Sequence, residues 1–300
     1  MGYLFPEEVL ENRFRLQKYL GGGGQGEVIV AWDELEEHKV AIKFQFPRNL
    51  ERSLTFWEDG KPIRDEAVFG ETLSGIRGIP RVLHRSPVDA PRAYFVMEFV
   101  EGLTLTQYIA AHRPIGERTA ASVIGQLCEI LDTVHGRGYV HRDVKPDNVI
   151  IATSGEVWLI DIGAATPIGE RAHQRAGTRG YAAPEQYDKD AVLTASADIF
   201  GLGSVLLGMC LPSQPFFDLE TRPQPGDQPY SDRIPINMPK TLRELGFEMI
   251  AVNPSDRPST MREVHERLYP SLPLKGSAPP SKVTTPDPTT WYRLGRSTLF

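Results

Sequence analysis

The sequence predicts an α+β fold in which a small antiparallel β-rich lobe precedes a larger, mainly helical one. Three observations predict it. From Phe14 to Phe46, strand-like runs alternate with a glycine cluster: Phe14 to Leu20, Gly21 to Gly26, Val28 to Trp32, then Lys39 to Phe44. Such runs read as an antiparallel meander. Residues 62–75 open with Pro62 and close with Gly75 around a helical apolar spacing, so one helix is expected there. Arg92 to Val100 forms a further apolar run, Glu101 and Gly102 break it, and helical spacing then dominates to about residue 270.

Composition narrows the function classes. A chain of 300 residues can bury one large core or two packed lobes, and 40% hydrophobic with 24% charged residues is ordinary for a globular protein. The net charge of -6 argues against a nucleic-acid binder, which needs a basic face to displace counterions. Cys128 and Cys210 are far apart, in apolar surroundings and without a CxxC pair, so two buried reduced thiols are expected rather than a metal site. Met1 to Leu10 carries Pro6, Glu7 and Glu8 where a signal peptide would be basic and then apolar. The longest apolar stretch, Ile199 to Leu211, is shorter than the roughly 20 residues of a membrane helix. A cytoplasmic protein without a membrane span is therefore expected.

The glycine cluster contains G-x-G-x-x-G-x-V at Gly21, Gly23, Gly26 and Val28. Glycines let backbone N–H groups approach phosphate oxygens, but the same spacing occurs in dinucleotide folds and in plain turns. Here a strand precedes and another follows, whereas a dinucleotide fingerprint runs into a helix, so a hairpin over a nucleotide is the better reading. Lys43, in the apolar run Val40 to Lys43, could reach phosphates from an inward strand position if a carboxylate holds it. Glu66 on the 62–75 helix is the candidate and Glu71 the rival; a snorkelling edge lysine and a solvated glutamate are the plainer alternatives.

The decisive stretch is Tyr139 to Ile151, a polar loop bearing Arg142, Asp143, Lys145, Asp147 and Asn148 between apolar flanks. Charges so placed are expensive unless used. Asp161 then ends the apolar run Trp158-Leu-Ile and is followed by Ile162 and Gly163, and Gly177-Thr-Arg-Gly-Tyr-Ala-Ala-Pro-Glu185 comes after.

In order and spacing these motifs resemble the eukaryotic-like (Hanks-type) serine/threonine protein kinase family, over roughly residues 11–268. The compact architecture points to the bacterial type. The resemblance implies a bilobal protein-kinase fold: an extension at 1–10, a kinase domain at 11–270 (N-lobe 11–97, hinge 98–101, C-lobe 102–270) and a flexible Pro/Ser/Thr-rich tail at 271–300. Trp291-Tyr292 and Leu299-Phe300 in that tail could dock.

It also implies ATP and Mg2+, with Mn2+ as an alternative, and transfer of the γ-phosphate to Ser or Thr hydroxyls of proteins, this one included. By the same resemblance Asp143 would take the substrate hydroxyl's proton, Lys145 would contact the γ-phosphate with Thr178 at the matching activation-segment position, Lys43 with Glu66 would hold the nucleotide phosphates, and Asn148 and Asp161 would bind the metal. Gly21, Gly23 and Gly26 would cover the phosphates. Val28, Ala41 and Ile150 would flank adenine, with Met97 as gatekeeper, Glu98 and Val100 as hinge and Thr104 beside the ribose. Asp198 would brace the catalytic loop and Arg257 would pair with Glu185, both as structural residues.

Three departures matter. Ile162 replaces the family's usual Phe, keeping an apolar plug without the ring. Gly70 stands where an apolar residue is expected, four residues after Glu66, and is a poor helix former by about 1 kcal/mol. A partner, a dimer contact or the tail could position this helix. Between Asp161 and Glu185 only Thr166 and Thr178 carry hydroxyls of the Ser/Thr type, so little dependence on activation-segment phosphorylation is expected; Arg142 would have Thr166 or Glu170 to grip. The tail offers many acceptors for autophosphorylation, and the Pro-rich stretch 212–240 could encode partner binding. A nucleotide-binding scaffold without transfer activity and a small-molecule kinase are the competing readings.

Overall fold

A computed structural model describes residues 8–23, 26–45, 66–87, 90, 93–171, 177–211, 216, 223–224, 227, 238–280 and 284–299. The first seven residues, the start of the expected helix at 62–65 and most of 212–240 lie outside them. The chain divides into two compact units, residues 1–75 with 80–100, and residues 76–79 with 101–300.

The first unit is built on six antiparallel strands: β1 (Val9–Leu10), β2 (Phe14–Gly23), β3 (Gly26–Asp33), β4 (His38–Gln45), β5 (Val82–Arg85) and β6 (Tyr94–Glu98), in the order β1-β2-β3-β4-β6-β5. The sheet begins two residues before the boundary expected at residue 11, since Val9 and Leu10 pair with Arg15 and Phe14. Side chains alternate between faces with period 2. One face carries Phe14, Leu16, Ile29, Ala31, Val40, Ile42, Phe44, Tyr94 and Val96, which form a single buried cluster. Cross-strand register therefore puts Val28, Val30, Ala41, Lys43, Phe95 and Met97 together on the opposite face. Helix α1 (Glu66–Thr72) follows, and the turn after it ends on Gly75, whose φ of 79° is the left-handed conformation that glycine tolerates best.

The second unit contains β7 (Gly102–Thr104), α2 (Leu105–His112), α3 (Glu117–Gly136), β8 (Tyr139–Val140), β9 (Val149–Ala152), β10 (Val157–Leu159), β11 (Thr166–Pro167), α4 (Ser196–Cys210), α5 (Lys240–Met249), α6 (Met261–Leu268) and α7 (Thr290–Arg293). Strands β10, β9 and β7 form one small antiparallel sheet, while β11 pairs with β8. Helix α4 is apolar on all sides and every residue from Ala197 to Met209 is buried, as expected of a helix at the centre of a bundle. Among the described residues no helix is long and apolar enough to cross a membrane.

The expectation of a flexible tail is corrected by residues 284–299. Trp291 and Tyr292 on α7 are only 6% and 4% exposed, and Gln126 of α3 donates from Nε2 to the Pro288 carbonyl at 3.2 Å. Tyr108 is hydrogen-bonded to Thr284. Proline, serine and threonine give no local period and read as unfolded, yet here they make turns around two aromatic anchors that find a surface far away in sequence. Gly155 is part of that surface. Its φ is +84°, and a Cβ there would lie 2.1 Å from the Asp287 carbonyl oxygen. Gly155→Ala is therefore expected to cost roughly 1–3 kcal/mol from the backbone conformation alone, and to speed amide hydrogen exchange in residues 284–299 selectively; uniform exchange rates in variant and parent would contradict it.

Candidate active site

In the first unit the last glycines of β2 pair with the start of β3, with Gly21 opposite Val28, Gly22 opposite Glu27 and Gly23 opposite Gly26. The strand-loop-strand reading is thus the observed one. Lys43 is 4% exposed, and its Nζ lies 2.7 Å from each oxygen of Glu66, itself 7% exposed. The rival Glu71 is an exposed side chain paired with Arg85 at 2.7 Å. A buried ion pair costs desolvation that its own attraction rarely exceeds, so it is weak evidence for stability and stronger evidence for use.

Val28 and Ala41 lie on the same sheet face as Lys43, and Met97 is the cross-strand partner of Ala41. Glu98 at the end of β6 is engaged by Arg81: its carboxylate accepts from Arg81 Nε at 2.7 Å and from the Arg81 backbone N–H at 3.0 Å, and its own N–H donates to the Arg81 carbonyl. That leaves backbone rather than side chain as the hinge group at this position. Val100 follows β6 and is half-buried.

In the second unit Thr104 caps α2. Its hydroxyl accepts from the Gln107 N–H at 3.2 Å while Gln107 Oε1 accepts from the Thr104 N–H at 3.0 Å, a capping box that gives this threonine a structural duty beside any contact to a sugar. Ile150 is half-buried in β9, between buried neighbours.

The polar loop after β8 brings three predicted residues together. Lys145 Nζ donates to Asp143 Oδ2 and to Thr178 Oγ1, both at 2.7 Å, and the Thr178 hydroxyl donates to Asp143 Oδ1 at 2.8 Å. This closes a triangle between residues 35 positions apart in the chain. Asn148 Nδ2 donates to the Asp143 carbonyl at 2.9 Å and to its Oδ2 at 3.0 Å. Because the amide nitrogen is committed to Asp143, Oδ1 is the atom Asn148 can turn to a cation. The Ile160 N–H donates to the Asn148 carbonyl at 2.8 Å, which places Asp161, the next residue, alongside. Two oxygen donors of this kind suit Mg2+, which keeps waters and phosphate oxygens as its remaining ligands. Among the described residues no group of three or more His, Cys, Asp or Glu side chains offers an all-protein cage.

Arg142 and Asp161 adopt φ of 71° and 63°, a region costly for any residue with a Cβ. Long-range hydrogen bonds hold the first of them. The Asp198 carboxylate accepts from the Arg142 N–H at 2.7 Å and from the His141 N–H at 2.8 Å, while Gln186 Nε2 donates to the Arg142 carbonyl at 2.8 Å. Asp198 is 1% exposed and also accepts from His135 Nε2 at 2.8 Å. The bracing role expected of Asp198 is met. The contributions of His135 and Gln186 were not anticipated, since neither lies in a motif.

Burial pushes the Asp198 carboxyl up, but the His135 hydrogen bond, the charges of His135 and His141 and the His141 N–H together hold it below its ordinary 3.8. A carboxyl depressed in the folded state contributes stability that is fully present above its unfolded value and is lost as pH falls through the folded one. Asp198→Asn protein, destabilised at neutral pH, is therefore expected to lose stability less steeply than the parent below about pH 4. Urea titrations across that range would show it, and parallel slopes would refute it. Nearby, burial holds the His141 imidazole below its ordinary 6.5.

A match to the protein kinase domain family covers residues 14–269. The chain belongs to that family. It is 30% identical over 273 residues to the serine/threonine-protein kinase PknA of Nostoc sp., covering 87% of this chain and 48% of that protein. It is 31% identical over 280 residues to the serine/threonine-protein kinase PknB of Mycobacterium tuberculosis (86% and 43%), and 26% identical over 267 residues to the serine/threonine-protein kinase PrkC of Bacillus subtilis (85% and 40%). The chain thus spans less than half the length of these relatives. Strand β1 and residues 284–299 lie outside the matched kinase domain.

Proposed function

We propose that this kinase domain transfers the γ-phosphate of ATP to serine and threonine hydroxyls of protein substrates, itself included. The observation that carries the reading is the Asp143–Lys145–Thr178 triangle. It supplies a carboxylate to take the proton of an incoming hydroxyl, a cation beside it for phosphoryl charge, and a threonine that fixes both. Lys43, held by Glu66, neutralises nucleotide phosphates. Asn148 and Asp161 hold the Mg2+, with Mn2+ able to use the same oxygens, and the bound Mg-ATP supplies the activated phosphoryl group. Gly21, Gly23 and Gly26 give backbone access to the phosphates. Val28, Ala41 and Ile150 offer apolar contact to adenine, Met97 lies beside Ala41, and the backbones of Glu98 and Val100 offer its hydrogen bonds, with Thr104 near the ribose.

The intact Lys43–Glu66 pair and the complete triangle favour transfer over a silent scaffold. Free Cys128 and Cys210 fit a reducing, cytoplasmic setting. Gly70, buried within α1, keeps an activating partner or dimer contact as the proposed support for the helix that carries Glu66. The test is transfer of labelled γ-phosphate from Mg-ATP to a generic protein acceptor, followed by acid hydrolysis. Label in phosphoserine and phosphothreonine supports the reading; label only in phosphotyrosine, or nucleotide binding without label, overturns it.

Activation-segment phosphorylation is not needed in this reading. Thr166 is 7% exposed, paired in β11 with Val140, and its hydroxyl points toward Glu170 at 3.4 Å. Thr166→Val protein is expected to keep its specific activity within about twofold, because the substitution removes at most one long hydrogen bond. A tenfold loss in the same labelling assay would show that Thr166 must be modified.

A further inference from the structure

We propose that Ser297 and Thr298 form a phosphoryl-acceptor site whose modification releases residues 284–299 from the helical unit. The docked segment is held at a buried carboxylate. Glu129 of α3 has a side chain 1% exposed, and it accepts from Ser297 Oγ at 2.8 Å, Thr298 Oγ1 at 3.3 Å, the Thr298 N–H at 3.4 Å and the Tyr292 hydroxyl at 3.1 Å. The rest of the unit contributes Arg77 at 2.9 Å, with His265 at 3.8 Å. Arg77 also pairs with Glu156 at 3.2 Å, and its guanidinium lies 3.9 Å over the Trp291 ring.

The receiving surface is shaped for this occupant. Gly125, inside α3 where alanine would be the better helix former, leaves room for the Tyr292 ring: a Cβ there would fall 2.3 Å from its hydroxyl oxygen. Gly155 makes the matching allowance for the Asp287 carbonyl, and Gln126 bridges the Gly155 and Pro288 carbonyls at 3.2 Å each.

Such a clasp is sensitive to charge. The Ser297 and Thr298 hydroxyls dock as donors to Glu129. A phosphate in either place removes the donor and sets a near-dianion against a carboxylate shielded from water, where like charges repel far more strongly than in solvent. Arg77, already shared between Glu129 and Glu156, is poorly placed to neutralise it. The two hydroxyls are also reachable: Thr298 is exposed and Ser297 half-buried, whereas Thr289 is fully enclosed. Local opening of the segment presents them to a second copy of the chain, and phosphate traps the opened form. Resting on the activity proposed above, the step forms a bond from Ser297 Oγ or Thr298 Oγ1 to the γ-phosphorus as the bond to ADP breaks. The hydroxyl proton passes to Asp143 of that second copy, and ADP leaves.

The experiment uses the full chain with Mg-ATP and a generic acceptor, phosphosite mapping, and amide hydrogen exchange of residues 284–299. Ser297→Asp/Thr298→Asp protein is measured without ATP, with and without Glu129→Gln. Phosphate at Ser297 or Thr298, with exchange at least tenfold faster in the modified fraction and in the Asp variant, and slowed again by Glu129→Gln, is the expected result. Labelled acceptor with Ser297 and Thr298 unmodified would overturn the site while leaving the kinase activity standing. Neither labelled would overturn the activity and self-modification together, and unchanged exchange in the Asp variant would overturn the charge-sensitive clasp whatever the labelling shows.

Discussion

Asp143→Asn protein is expected to transfer phosphate at least about 10²-fold more slowly than the parent, with nucleotide affinity changed by no more than a few fold. The substitution keeps the shape of the side chain and removes the base. In the parent, Asp143 accepts from Lys145, Thr178 and the Asn148 amide. An asparagine in its place turns one of its two acceptors into a donor facing other donors, so one of these hydrogen bonds is lost along with the proton acceptor. The loss should fall on kcat rather than on KM for ATP, because the group acts on the reacting hydroxyl rather than on the bound nucleotide. Steady-state kinetics with varied ATP separates the two, and a variant within about threefold of the parent kcat would remove Asp143 from the base role.

Arg257→Ala is expected to give the largest loss of stability of any single substitution considered. The Arg257 side chain is 0% exposed and grips Glu185 with two hydrogen bonds of 2.6 and 2.9 Å. It also donates to the carbonyls of Ala251 (2.7 Å), Val252 (3.0 Å) and Ser196 (2.9 Å), and it lies 5.0 Å over the Phe200 ring. Truncation leaves a mostly buried carboxylate and three carbonyls without this donor, which costs about 3–5 kcal/mol. That is a large part of the 5–15 kcal/mol typical of a folded domain. Thermal unfolding should move down by roughly 10 °C, and Arg257→Lys should recover little, because an ammonium cannot span both Glu185 oxygens. A shift of only a degree or two would mean that water replaces the guanidinium.

The sequence by itself determined the order and type of β2, β3, β4 and β6, the hairpin between β2 and β3, and the residues of the Asp143 loop, whereas β1 falls in the expected extension and no strand is expected at β5. These rest on local information. Period-2 alternation from Phe14 to Phe44 dictates which side chains share a face, and a glycine run between two strands dictates a hairpin. The charged loop was legible because five polar residues between apolar runs need a use.

Other features were decided by tertiary structure. Helical spacing alone leaves Glu66 and Glu71 equivalent; the kinase resemblance favours Glu66, and the structure gives the physical distinction, one carboxylate buried on Lys43 and the other exposed on Arg85. The positive φ of Arg142 is held by Asp198 as acceptor and Gln186 as donor, 56 and 44 residues away, and neither strained backbone nor distant hydrogen-bond partners leave a local pattern. Residues 284–299 are the clearest case. Their composition lacks any period, yet Trp291 and Tyr292 are buried because Gly125, Gly155 and Glu129, more than 130 positions earlier, provide two vacant Cβ positions and a carboxylate. Composition reports what a segment can form alone, whereas docking depends on a surface assembled from elsewhere in the chain.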